Sequence, residues 1–146
     1  MRYARRWTAA ALLGAAIGCG GGDGFKIAPV TGQVTLGGRP LEGAFVQFQP
    51  MAGGDTVNSG PPSVGTTDAD GRFALAVAQD GRKGAMVGRH RVRISTYREE
   101  TVAKDSDDVK IAQRELVPVK YNARTTLVFQ VPEGGTTAAD FGLDAK

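Results

Sequence analysis

Arg89, Arg91 and Arg93 alternate with His90 and Val92. On an extended strand, alternate side chains share one face about 7 Å apart. The three guanidinium groups would then form a row. Planar guanidinium forks suit phosphate, sulfate or carboxylate groups on a polymer. The same row also reads as an ordinary wet sheet face, paired with acids such as Glu42, Glu99 or Glu100.

Other reactive side chains are sparse. His90 is the sole histidine. Catalysis or metal binding needs it beside a nucleophile or further ligands. No Gly-x-Ser-x-Gly elbow occurs. Its parity with Val92 and Ile94 makes His90 a residue capping the edge of the core. Asp68-Ala69-Asp70-Gly71 has the opening spacing of a calcium loop, but no glutamate stands at the closing offset. Asp68 and Asp70 are therefore weak metal candidates, and a hairpin turn explains them as well. Asp105, Asp107 and Asp108 read as a solvated acidic loop. No cofactor is implied, and the chain reads as a non-enzyme.

The only cysteine is Cys19, so no intrachain disulfide can form. Met1 to Arg6 is short and basic, and Trp7 to Ile17 is an uncharged apolar run. This order of segments marks a secretory signal over residues 1–18. The run is too short to span a bilayer, which takes about 20 residues. Ala16-Ile17-Gly18-Cys19 resembles the lipobox of bacterial lipoproteins, with Ala16 where that family usually has Leu. The resemblance implies cleavage before Cys19 and its acylation. The alternative is plain secretion. Residues 19–29, with Gly20-Gly21-Gly22-Asp23-Gly24, then serve as a flexible tether. The expected location is the cell membrane or outer membrane, facing periplasm or exterior.

The formal charge of +3 and pI near 9.2 would suggest a polyanion partner. However, Arg2, Arg5 and Arg6 lie in the cleaved segment. The remaining 15 Lys and Arg equal the 15 Asp and Glu. The global basic field of a nucleic-acid binder is absent.

The elements that carry these residues follow a period of two. Ala44, Val46 and Phe48 share one face, while Phe45, Gln47 and Gln49 share the other. Phe73, Leu75 and Val77, then Val92 and Ile94, then Leu127, Phe129 and Val131, then Ala139, Phe141 and Leu143 repeat the pattern. Such runs are half-buried strands. Turn residues separate them at Gly37-Gly38-Arg39-Pro40, Asp68 to Gly71, and Glu133-Gly134-Gly135. Strands are expected near 30–36, 43–49, 63–67, 72–77, 88–96, 117–119, 125–131 and 138–143. A short helical turn is expected over Asp107 to Glu115. Residues 50–62 and 98–116 read as long surface loops. The expectation is one domain over residues 30–146, all-β, a single antiparallel sandwich of about seven strands.

Thr31-Gly32-Gln33-Val34-Thr35, then Gly37 to Ala44, then Thr67-Asp68-Ala69-Asp70-Gly71-Arg72-Phe73 resembles the carboxypeptidase regulatory-like domain. The resemblance covers residues 30 to about 96 and implies a transthyretin-like (prealbumin-like) sandwich. Residues 118–131 resemble the segment that comes after this module in small bacterial lipoproteins. One departure is His90, where the family often has an aromatic. Some transthyretin-like relatives are hydrolases with clustered His and Arg and a C-terminal tetrapeptide. A single histidine and the ending Phe141 to Lys146 do not match them.

The function expected from the sequence is a membrane-anchored exported lipoprotein with a structural or binding module in the cell envelope. The alternative is an accessory module that binds envelope polysaccharide or another envelope protein through Arg89, Arg91 and Arg93.

Overall fold

A computed structural model of the chain describes residues 24–52, 59–101 and 109–146. The signal segment, Cys19, and Asp105, Asp107 and Asp108 lie outside the described residues. The fold is all-β. Its strands are β1 Ile27–Ala28, β2 Thr31–Leu36, β3 Arg39–Pro40, β4 Phe45–Pro50, β5 Ser63–Thr66, β6 Arg72–Ala74, β7 Ala76–Val77, β8 Ala85–Met86, β9 Gly88–Ser95, β10 Arg98–Thr101, β11 Val109–Gln113, β12 Val128–Val131 and β13 Phe141–Leu143.

The larger sheet has the order β12-β9-β4-β5-β7, with every pair antiparallel. The second sheet centres on β2, which pairs β13 on one side and β3 and β6 with its successive halves. The β1–β8 and β10–β11 pairs stand apart as small ribbons.

The alternating pattern decides what the two sheets enclose. Val46 and Phe48 from β4, and Val92 and Ile94 from β9, are fully buried. They meet Val34, Phe73, Phe141 and Leu143 from the second sheet in one core. Phe48 is the hub. Its ring centroid lies 5.5 Å from Phe129, 5.7 Å from His90 and 6.0 Å from Phe141. Tilted and edge-on contacts at these spacings favour the ring quadrupoles as well as burial.

Several sequence expectations need correction. The run expected as one strand over 72–77 divides at Leu75, whose N–H donates to the Val30 carbonyl at 3.0 Å. Its first half pairs β2 and its second half pairs β5, so the chain passes from one sheet to the other. The C-terminal strand runs parallel to β2, not antiparallel. Alternation fixes which side chains face inward, but it carries no information on strand direction. The close approach is made at Gly32, where a Cβ would sit 2.0 Å from the Ala139 carbonyl oxygen.

The expected strand over 117–119 is absent, and a 3-10 turn stands at Val119–Tyr121. The backbone of 98–101 and 109–113 forms an antiparallel hairpin, where a loop and a helical turn were expected. High charge and a weak helical pattern hid the pairing. The folded region also starts earlier than residue 30: Ala28 is buried, and β1 pairs β8.

Candidate anion-binding face

The outer face of the larger sheet carries the arginine row. β9 lies between β4 and β12, so Arg91 has a cross-strand neighbour on each side, while Arg93 faces one in β4 and Arg89 one in β12. Arg93 is opposite Gln47. Arg91 is opposite Gln49 and Val128. Arg89 is opposite Gln130. All three arginines are exposed, while His90, Val92 and Ile94 between and beyond them are buried.

Arg91 and Arg93 line a surface depression of about 480 Å³ with Gln47, Gln49, Asn122 and Thr125. Among the described residues no carboxylate lines it. Arg89 lies further along the strand and outside this lining. Among the described residues, none of the three guanidinium groups makes an ion pair or side-chain hydrogen bond. The pairing with Glu42 or Glu99 does not form, and the side chain of Glu100 lies outside the described residues. The amides of Gln47 and Gln49 likewise have no hydrogen-bond partner among the described residues.

The floor and rim are held by polar side chains whose bonds point inward. Asn122 is buried and donates from Nδ2 to the Val117 carbonyl at 2.9 Å. Thr125 donates from Oγ1 to the Val92 carbonyl at 2.6 Å. The first bond closes the chain around the 3-10 turn, and the second ties the segment after it to β9.

Glu115 is a feature that sequence reading passed over. Its Oε1 accepts from the Thr96 N–H at 3.0 Å, the Thr96 hydroxyl at 3.1 Å and the Val117 N–H at 2.9 Å, and its Oε2 accepts from the Ser95 hydroxyl. Burial pushes its carboxyl pKa up, but the bonds from Ser95, Thr96 and Val117 outweigh it and hold the pKa below the ordinary value. Glu115 therefore carries a fixed negative charge beside the end of β9. In the sequence it was one charge among many, and nothing local marked it.

The remaining candidates sort by geometry. Asp68 Oδ1 accepts from the N–H groups of Asp70 and Arg72, both at 2.9 Å, which is the work of a turn. Asp70 is exposed, and its backbone carbonyl accepts from Gln33. No cluster of three or more metal-ligating side chains stands among the described residues. His90 is 1% exposed and sits deeper than the core edge where it was expected. Its Nε2 is buried without a hydrogen-bond partner among the described residues. No described helix is long and apolar enough to cross a membrane.

The chain matches no family model and no curated protein. Among solved structures it is similar to a 9R-lipoxygenase from Cyanothece, with 16% identity and a TM-score of 0.38. That likeness covers 82% of this chain but only 16% of the lipoxygenase chain. A likeness this loose carries no argument about activity.

Proposed function

We propose that this protein is an exported lipoprotein, anchored through acylated Cys19, whose transthyretin-like sandwich is a non-catalytic module that docks an anionic partner in the cell envelope. The observation that carries the docking role is the arginine row. Its guanidinium groups are exposed, spaced along one strand, and free of internal partners among the described residues. Docking therefore breaks no existing ion pair, and each fork keeps both edges for an incoming carboxylate, sulfate or phosphate. The depression beside Arg91 and Arg93, which no carboxylate lines among the described residues, supports the same reading.

The hydrolase alternative loses support from the position of His90. A general base must reach its substrate within hydrogen-bond distance. This imidazole is sealed in the core against Phe48.

Two experiments test the proposal. Labelled palmitate should enter the wild-type chain and not the Cys19→Ala variant; equal labelling of both removes the anchor. The full chain in detergent should capture acidic envelope fractions, and rising salt should weaken capture. Replacing Arg89, Arg91 and Arg93 together by Ala should abolish it. Capture that ignores both salt and the triple replacement removes the docking face.

A further inference from the structure

A second depression, of about 410 Å³, adjoins the first and shares Arg93 and Asn122 with it. Its other lining residues include Phe45, Tyr97 and Glu115. Phe45 stands opposite Ser95 on the outer face, two cross-strand pairs along from Gln47 and Arg93 and next to them on that face. Phe45 is 42% exposed and Tyr97 46%. The rest of this face carries Arg89, Arg91, Arg93, Gln47, Gln49 and Gln130, with Val128 opposite Arg91 as a further exposed apolar residue. The Tyr97 hydroxyl donates to the Glu99 carboxylate, and the Tyr97 N–H donates to the Ser95 hydroxyl at 3.2 Å. Ser95 is in turn bonded to Glu115. The ring is therefore tied at both its backbone and its tip.

The two depressions form one groove with unlike ends. At one end are two exposed aromatic rings and an ionised carboxylate. At the other are two guanidinium groups and free carboxamides. We infer that this groove binds an acidic polysaccharide in which a carboxylated sugar neighbours an uncharged one. The inference rests on the anionic-docking reading above and gives its partner a chemistry. The apolar face of an uncharged sugar ring packs on Phe45 and Tyr97, as apolar surface does on aromatic rings. Sugar hydroxyls pair with Glu115 and the carboxamides of Gln47 and Gln49. The sugar carboxylate meets the forks of Arg91 and Arg93. A densely charged polymer fits less well. It presents nothing to the rings, and it brings negative charge up to Glu115.

The test is calorimetric titration of the full chain in detergent with three probes at one salt concentration. They are hyaluronan oligomers, which alternate a carboxylated and an uncharged sugar, neutral dextran oligomers, and polyphosphate. Hyaluronan oligomers should bind most tightly. Phe45→Ala and Tyr97→Ala should each weaken them about three- to tenfold, with polyphosphate binding unchanged, and Phe45→Tyr should retain binding. Replacing Arg91 and Arg93 together by Ala should weaken them about a hundredfold. Thermal melts of each variant show that the fold is intact. Polyphosphate bound more tightly than hyaluronan, with neither aromatic replacement mattering, overturns the polysaccharide inference and leaves the anion face standing. Failure of both polyanions to bind overturns both.

Discussion

The Nδ1 atom of His90 lies 3.1 Å from the carbonyl oxygen of Gly88, two residues earlier on the same strand. A carbonyl can only accept, so Nδ1 carries the proton and Nε2 is the bare nitrogen. Nε2 faces the core with no donor among the described residues. Protonating Nε2 would bury a charge with no acceptor for it among the described residues. The imidazole pKa is lowered by burial, which outweighs the opposing bond to Gly88.

The consequence is an acid-sensitive core. As pH falls through the ordinary value of 6.5, the unfolded chain takes up a proton at His90 more readily than the folded chain does. The unfolded state then holds more protons, so stability falls as pH drops through this window, by at most about 1.4 kcal/mol per pH unit. Urea midpoints at about pH 7.5 and about pH 5.5 should differ for the wild type. His90→Phe, which keeps a ring against Phe48, should flatten that difference. An undiminished pH effect in the variant would place its origin elsewhere.

Glu115 acts in a lower window and for a different reason. Its folded pKa is depressed below 4.5 although burial works the other way. Its contribution is present above that value and lost as pH falls through the folded pKa. Glu115→Ala leaves the N–H groups of Thr96 and Val117 without this acceptor. It should cost about 1–2 kcal/mol at neutral pH, and it should make the loss of stability below pH 4.5 shallower. A variant as stable as wild type would show that water replaces the carboxylate without loss.

The inner and outer faces of β4 and β9 were legible from alternation alone, because burial on one side of a sheet imposes a period of two. So were the turn at Asp68 and the arginine row. What alternation cannot carry is pairing. The groove depends on Phe45 standing opposite Ser95 and Gln47 opposite Arg93, a register between segments about fifty residues apart. The parallel return of β13 and the switch of sheets at Leu75 were hidden for the same reason. Glu115 becomes a hub only through Ser95 and Thr96, which lie about twenty residues away in sequence.

Thr67 joins the loop after β3 to the end of β5. Its hydroxyl donates to the Leu41 carbonyl and accepts from the Ala44 N–H at 2.8 Å, and Ala44 is fully buried. Thr67→Val keeps the shape and removes both bonds. Two buried backbone groups then lose their partner, at a cost of about 2–3 kcal/mol by chemical denaturation. Thr67→Ser keeps the hydroxyl and should recover most of that. Equal losses in the two variants would assign the effect to the methyl group instead.

Gly71 closes the turn after Asp68 under two constraints that can be separated. Its φ is +72°, a region where a side chain is strained. In addition, a Cβ there would lie 2.4 Å from the Val34 carbonyl oxygen and 3.1 Å from the Leu41 nitrogen, both backbone atoms. Gly81 has nearly the same φ, +74°, with nothing within 4 Å of such a Cβ. Gly81→Ala therefore reports the conformational penalty alone, about 1 kcal/mol. Gly71→Ala adds the clash, which must push β2 away and strain the Val34 N–H bond to the Gly71 carbonyl, now 2.8 Å. It should cost at least about 2 kcal/mol more than Gly81→Ala. Because the clash falls on β2, the loss should appear as faster amide exchange at Val34, while exchange across the β4–β9 pair stays unchanged at low denaturant. Equal destabilisation by the two replacements would mean that the turn relaxes away from β2 freely, and that the packing of Gly71 on Val34 contributes little to holding the second sheet.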